Sequence, residues 1–558
     1  MSQKELAPWV DGLTIGRVLQ ATAERVGERD ALVFPKRDLR LNWRQFDGQV
    51  TAAARALTAI GVRRGEHVAV WATNVPEWVI LQFATARIGA VLVTINPAYR
   101  SRELKYVLHQ SDAVALLLVD RFKSSDYYTI LNQVCPELAD CSRGGLQPAD
   151  FPKLRTVVTL SETPLPGAIS WSRIIERGGQ VGTDQIDSIS DQLAAEDPIN
   201  IQYTSGTTGF PKAAMLSHRN LLLNAYYIGQ CQRLTEADRI CIPVPFYHCF
   251  GCVLGTLCAA VHGAAMIIPA EYFNAVDTLQ ATERERATAI YGVPTMFIAQ
   301  LEHETFGRRD LSSVRTGIMA GSPCPIEIMR KVIDQMGARE MTIAYGQTEA
   351  SPVITQTRTD DPLELRVQTV GRPIPGVEVK VIDPATGAEL GANQPGELCT
   401  RGHVVMLGYY NNPDATAAAI DADGWLHTGD LAVRLDNGYY RIRGRIKEMV
   451  IRGGENIYPR EIEEFLFTHP AIEQASAVGV PDLKYGEALC VWVKLRAGAQ
   501  MTGDQLRQFC KDNLSLFKMP RYVEFVDSFP QTVTGKIQKF KIRRQMIDQL
   551  GLKEEETA

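Results

Sequence analysis

The run Tyr203-Thr204-Ser205-Gly206-Thr207-Thr208-Gly209-Phe210-Pro211-Lys212 sets small hydroxyl residues and two glycines ahead of a lysine. Small residues let backbone N–H groups approach phosphate oxygens, and hydroxyls add donors. Lys212 supplies a positive charge. The spacing is not that of a Walker A loop, where the lysine directly follows glycine and precedes Ser or Thr. Here Phe210 and Pro211 intervene and Ala213 follows. A flexible linker shares this composition, but linkers seldom sit between an apolar run and a capped helix. A phosphate-binding loop of another kind is the expectation.

Two carboxylates and a lysine further along have matching chemistry. Glu349 stands beside Thr348 after Tyr345 and Gly346. Mg²⁺ on nucleotide phosphates takes one or two carboxylates and keeps several waters. Asp430 follows Gly429, and a carboxylate can accept from both hydroxyls of a ribose. Read singly, the first is also a solvated surface acid and the second a turn aspartate. Lys536 opens a basic run to Arg544 (KIQKFKIRR), which alone reads as a solvated helix face. Cys249 and Cys252 form a CxxC with no second pair or close histidine pair, so they read as buried thiols rather than a redox or zinc centre.

These residues need a scaffold. Phe46, Val50, Ala53, Ala54, Leu57 and Ile60 fall at helical spacing. Short apolar strands are expected at 67–72, 91–95 and 114–119. A helix is expected over 101–110, and another after Asn74, which can cap it, with Pro76 in its first turn. Strands separated by helices predict parallel pairing with helices on both faces. The run 250–270 reads as a buried helix followed by a strand rather than a membrane span. From about Gly371 short alternating strands dominate, with Asp436-Asn437-Gly438 as a hairpin signal. A last unit shows strands at 448–451, 475–480, 489–495 and 522–527 and helices at 459–467 and 503–513.

The predicted fold is therefore α/β. A large N-terminal domain, 1–444, contains layered sheets and a small β-barrel-like subdomain at about 371–444. A small α+β domain, 445–558, follows. The 558 residues carry 59 basic and 64 acidic side chains, a net charge of −5. That balance argues against a nucleic-acid binder, which should show a basic excess or stripe. No basic-then-apolar leader opens the sequence, and the cysteines form no disulfide framework, so a reduced cytoplasmic protein is expected.

The motifs, taken in order, resemble those of the adenylate-forming superfamily, the acyl-CoA synthetases among them. TSGTTGFPK is similar to its phosphate loop, and Pro245-Phe246-Tyr247-His248 to its acyl-pocket segment. Tyr345-Gly346-Gln347-Thr348-Glu349 and Gly424-Trp425-Leu426-His427-Thr428-Gly429-Asp430 are similar to two nucleotide motifs. Gly444-Arg445-Ile446-Lys447-Glu448, with Gly453-Gly454-Glu455-Asn456-Ile457-Tyr458-Pro459, resembles the hinge and the start of a mobile C-terminal domain. Thr534-Gly535-Lys536 resembles the catalytic lysine motif. The family usually has Gly where Ala213 stands and Asp where Glu448 stands.

The resemblance implies an acid–thiol ligase: carboxylic acid and ATP give acyl-AMP and pyrophosphate, then CoA takes the acyl group. It assigns Lys536, His248, Thr204 and Glu349 to catalysis, with Glu349 holding Mg²⁺. It assigns nucleotide contacts to Thr204, Ser205, Gly206, Thr207, Thr208, Gly209, Lys212, Gly321, Ser322, Tyr345, Gly346, Thr348, Asp430, Arg445 and Lys536. Lys447 becomes the hinge, and Gly453 and Gly454 line the CoA channel. The acyl pocket is expected at His248, Gly251, Gly255, Gly292, Val293 and Ala320. These walls are small and apolar, which suits an alkyl or aryl tail. No aspartate in Tyr247–Phe250 awaits a substrate amine, which disfavours amino acids.

The stretches at 96–113 and 216–230 look most like medium- to long-chain fatty-acid synthetases. An acyl-AMP ligase loading a carrier protein, an aryl-acid–CoA ligase and a luciferase-like oxidase are the alternatives within the family. A non-catalytic regulator is disfavoured because Glu349, Asp430 and Lys536 are all present. A homodimer is expected from relatives, and no integral membrane span.

Overall fold

The computed structural model describes residues 7–139, 141, 146–204, 211–322, 324–452, 455–482, 485–511, 513–533 and 535–552. Two large sheets dominate the first 440 residues, of nine and eight strands among those described. In the first, Glu340–Gly346, Thr316–Met319, Ala289–Gly292, Arg239–Cys241, Ala265–Ile267 and Asp30–Phe34 run parallel in that spatial order. In the second, Pro198–Thr204, Val91–Thr94, His67–Trp71, Ala113–Leu118 and Thr156–Thr159 do the same.

Parallel pairing holds in the sheet centres and at the edge strand Ile169–Ser170, but not toward the other edges. Leu39–Asn42, Val353–Gln356 and Lys212–Ser217 all pair antiparallel, because short connections fold them back on the preceding strand. Central strands are buried on both faces, as in Ala113–Leu118, and so read as unbroken apolar runs.

Helix Trp43–Ala59 starts at a capping box between Asn42 and Gln45 and buries Phe46, Val50, Ala53, Ala54 and Leu57. Helix Pro76–Arg87 corrects one expectation: its N-cap is Val75, with no side-chain cap. Asn74 instead donates to the Val244 carbonyl at 2.9 Å and accepts from the Phe246 N–H at 2.9 Å. It ties the site segment to the first sheet's neighbour. The apolar run after Cys249 is a π-helix over Phe250–Leu257, then helix Cys258–His262 and strand Ala265–Ile267. Cys249 and Cys252 are free and buried. No described helix is long and apolar enough to cross a membrane.

Strands Val377–Ile382, Pro395–Gly402, Leu426–Arg434 and Tyr440–Arg445 form an antiparallel sheet. Val377, Val381, Leu398, Leu426, Ala432 and Tyr440 on it belong to the same core as the two large sheets. The following chain builds separate cores around Ile472–Asp482 and Gly486–Leu495. Ala475, Ala477, Leu489, Val491 and Val493 pack under helices Pro459–Phe467 and Gly503–Lys511. The alternate residues Val478, Val480, Ala488, Cys490 and Trp492 pack under Lys539–Leu550. Period-two alternation, with both faces apolar, explains why this sheet takes helices on each side.

Candidate active site

The C-terminal end of strand Glu340–Gly346 delivers Tyr345 and Gly346 to a cleft. Gly346 admits no side chain: a Cβ there would lie 1.8 Å from the Pro352 carbonyl oxygen. The Tyr345 hydroxyl donates to Asp430 Oδ2 at 2.8 Å. Cross-strand register sets Arg445 opposite Asp430, and Arg445 Nε lies 3.1 Å from Oδ1. Burial pushes the Asp430 carboxyl up, while Arg445, the Tyr345 hydroxyl and Lys536 pull the other way. Arg445 is itself pushed up, first by the Asp430 charge. The direct contacts of the Asp430 carboxylate, Arg445 and the Tyr345 hydroxyl, argue for its ionised form against burial and the Glu448 charge.

Glu349 lies on a single turn, Thr348–Ala350. Its Oε1 accepts from the Thr204 hydroxyl at 3.1 Å and the Tyr409 hydroxyl at 2.9 Å. Lys212 Nζ sits 4.9 Å from the Tyr409 ring centroid. Thr204 and Lys212 face each other across the strand pair on either side of the segment expected to bind phosphate. Thr348 is buried, with its hydroxyl 3.7 Å from Cys249 Sγ. Ser205, Gly206, Thr207, Thr208 and Gly209 lie outside the described residues, as do Gly453, Gly454 and Thr534. Glu349 with its hydroxyl neighbours is a hard-oxygen set, which suits Mg²⁺ entering with a nucleotide.

A cleft of about 250 Å³ joins these groups to the C-terminal unit. Gly321, Ser322, Tyr345, Gly346, Asp430 and Arg445 line one side, and Gly535 and Lys536 the other. Lys536 keeps solvent access through the open cleft. Close protein surroundings, then the Arg445 charge, push its ammonium pKa down. Gly535, at φ +78°, passes so near Thr295 that a Cβ would meet Thr295 Oγ1 at 2.6 Å. His248 Nδ1 accepts from the Phe250 N–H at 3.2 Å. Burial first, and then Lys536, push His248 down to about 4, so it is neutral at pH 7.

The residues expected for an acyl pocket are not among those lining this cleft. Gly251 and Gly255 are close-packed: a Cβ would meet the Pro245 backbone at 2.3 Å or Ile242 Cγ2 at 2.9 Å. Gly292 faces Phe297, at 3.0 Å from a built Cβ. Val293 and Ala320 are buried, and a Cβ added at Gly321 or Gly535 would lie 3.1 or 3.3 Å from the Val293 side chain. Lys447 is exposed on the turn Ile446–Glu448 between the two units.

Several site residues had no local signal. Glu397 accepts from the Gly429 N–H at 3.0 Å, beside Asp430. Tyr409 shares Glu349 with Thr204. The basic run after Lys536 is not a plain solvated face. Lys539 Nζ lies 2.7 Å from Glu463, and Arg543 pairs with Glu487. Burial pulls Lys539 down, but the Glu463 and Glu448 charges outweigh it and hold it up.

A parallel-sheet scaffold and a cleft that sets a lysine across from a buried carboxylate paired with a guanidinium fit a nucleotide-dependent acid-activating enzyme. Residues 19–410 match the AMP-binding enzyme family and 461–536 match the AMP-binding enzyme C-terminal domain. The chain belongs to this family and is an AMP-forming acyl-CoA synthetase. It is 50% identical over 539 residues to YngI of Bacillus subtilis (strain 168), an acyl-CoA synthetase-type relative, covering 97% of this chain and 98% of that one. It is 43% identical over 544 residues to the mitochondrial medium-chain acyl-CoA ligase ACSF2 of Bos taurus, covering 97% and 88%. The crystal structure of the anthranilate CoA ligase AuaEII with anthranoyl-AMP superposes with a TM-score of 0.85 at 26% identity, covering 99% and 100%.

Proposed function

We propose that the acid is a medium-chain fatty acid, and that Lys536 serves its adenylation while leaving the site for thioester formation. The synthetase reaction itself joins a carboxylic acid to CoA through acyl-AMP. The observation that carries the residue roles is the position of Lys536 across one cleft from Asp430, Arg445 and Tyr345.

In the first step a carboxylate oxygen attacks the α-phosphorus of ATP and pyrophosphate leaves. Charge shifts onto the bridging oxygen, and positioning does most of the rest. Lys536 supplies a cation there. Asp430 holds the ribose, Tyr345 lies against the base, and Thr204, Lys212 and Thr348 face the phosphates. Mg²⁺ would be held by Glu349 and would offset phosphate charge. His248, neutral, adds no repulsion to Lys536 at the junction of acid and thiol. In the second step the CoA sulfur attacks the acyl carbonyl and AMP leaves. That attack needs the space Lys536 occupies, so residues 445–558 turn as a unit about Lys447 relative to 1–444. The separate cores on either side of Lys447 support such a motion.

The medium-chain assignment draws on the ACSF2 relative and on the apolar character of the expected pocket. A cytoplasmic location is part of the same reading, supported by eleven unpaired cysteines, and a homodimer rests on the family resemblance alone. The test is incubation with ATP, Mg²⁺, CoA and acids of graded chain length plus benzoate, with products identified by mass spectrometry. Acyl-CoA and AMP peaking at medium chains is the expected result. A peak on acetate or benzoate overturns the chain-length assignment.

A further inference from the structure

Strands Pro395–Gly402 and Leu426–Arg434 pair Cys399 directly with His427. Between this pair and the pair Glu397–Leu431, the second strand spends two more residues than the first, so it bulges at Thr428, Gly429 and Asp430. Glu397 lies two residues from Cys399 on the same strand and so shares its face. The donor atoms of Glu397, Cys399 and His427 all lie within 4.8 Å of one another. His427 Nδ1 is 3.0 Å from Glu397 Oε2 and 3.6 Å from Cys399 Sγ. A tetrahedral ion with ligand bonds of about 2.0–2.3 Å holds its ligand atoms roughly 3.3–3.6 Å apart. The spacing comes from backbone register rather than from the chance orientation of long side chains.

We propose that Glu397, Cys399 and His427 form a binding site for a zinc-class divalent ion, and that its occupancy weakens nucleotide binding through the Thr428–Asp430 bulge. One thiol, one imidazole and one carboxylate suit such an ion and not Mg²⁺, which prefers oxygen alone. The His427 and Glu397 side chains are 32% and 13% exposed, so water can complete the coordination. Asp421 Oδ2, 3.6 Å from His427 Nε2, orients the ring from its far side. Lys380 and Arg401 are the nearby cations, and both are held over the Trp425 ring, at 4.1 and 4.7 Å. Binding forms a metal–sulfur bond as the Cys399 thiol proton passes to solvent. No electron is transferred.

The link to the nucleotide is short. Glu397 Oε2 faces the site while its Oε1 accepts from the Gly429 N–H at 3.0 Å. An ion that spreads Glu397 Oε2 and His427 Nδ1 from 3.0 Å to ligand spacing shifts the bulge that aims Asp430. Ion binding itself is independent of the synthetase reaction, whereas the effect on nucleotide rests on the role assigned to Asp430.

The first test titrates the full-length protein with Co²⁺ and follows the thiolate-to-metal charge-transfer absorption. One Co²⁺ per chain is expected, displaced by Zn²⁺, with the band lost in Cys399→Ser and the affinity at least tenfold weaker in His427→Asn. No band, or an undiminished band in Cys399→Ser, overturns the site. The second test measures KM for ATP at saturating Mg²⁺ with and without Zn²⁺. A rise of about tenfold is expected in the wild-type enzyme and none in Cys399→Ser. Equal inhibition of both, or no response in a protein that binds Co²⁺ here, overturns the coupling. If Asp430→Asn leaves KM for ATP unchanged, the fault lies with the Asp430 role, and the Co²⁺ spectra still decide the site.

Discussion

The Tyr345 hydroxyl and Asp430 Oδ2 lie 2.8 Å apart, linking residues 85 positions distant in sequence. This bond joins the end of a central parallel strand to a bulge in the antiparallel sheet. With Arg445 on the other carboxylate oxygen, Asp430 is fixed from two sides. A buried carboxylate so held has little freedom left to lose when a ligand accepts its geometry.

Asp430→Asn should therefore weaken nucleotide binding more than it weakens the fold. It removes the charge that Arg445 faces and one strong acceptor. A hydrogen bond to a charged group contributes about 1.5–3 kcal/mol, so KM for ATP should rise roughly 10–100-fold. Tyr345→Phe loses a neutral donor and should raise it by a few-fold. Steady-state kinetics with ATP varied checks both. Unchanged KM in both variants would place the nucleotide elsewhere.

Lys536→Ala should slow adenylation by about 10²–10³-fold, the scale of removing one preorganised electrostatic contact. Thioester formation from supplied acyl-AMP and CoA should stay within a few-fold of wild type. The two half-reactions are measured separately, by pyrophosphate release and by acyl-CoA formation. Equal losses in both would contradict the departure of Lys536 between steps.

Elements governed by local pattern were legible in the sequence. Helices Ser101–Gln110 and Pro459–Phe467 fall on the predicted residues, because apolar spacing and an initial proline decide them. What depended on distant partners was not legible. Asn74 precedes Val75-Pro76 as a cap would, yet its side chain is taken by backbone 170 and 172 residues away. Lys539 sits in a run that reads as solvated, and only the folded C-terminal unit shows Glu463 beside it. Glu397 reaches Gly429 through a bulge, which no alternation of residue types announces. The motifs named the groups at the cleft; the register that aims them came from the sheets.

Three histidines, His218 and His262 buried and His248 partly so, make the fold sensitive to acid. His218, His248 and His262 are each pushed down to about 4, first by burial. His218 Nδ1 accepts from the Ile15 N–H at 3.1 Å, as a neutral ring does. Between pH 4 and 6.5 the unfolded chain binds protons that the folded one refuses, so stability rises with pH across that window. Their contribution is complete above pH 6.5 and is lost as pH falls toward 4, at most about 3 kcal/mol for each ring. Tm measured from pH 7 to 4.5 should fall steadily, and His218→Asn, which keeps an acceptor for Ile15, should flatten the slope. A Tm independent of pH over that range would mean these rings are not held neutral.

Gly535→Ala separates two effects at the lysine motif. The backbone at φ +78° is strained for any side chain, at about 1–2 kcal/mol in either domain orientation. The added Cβ also meets Thr295 Oγ1 at 2.6 Å, a contact that the proposed rotation of the C-terminal unit would remove. Adenylation should therefore fall by about tenfold or more, and thioester formation from supplied acyl-AMP by less. Adding Thr295→Ala removes the clash but not the strain. The double variant should regain most of the lost adenylation rate while its Tm stays near that of Gly535→Ala. If the double variant adenylates no faster than the single one, Thr295 is not what Gly535 must clear when the C-terminal unit brings Lys536 to the nucleotide.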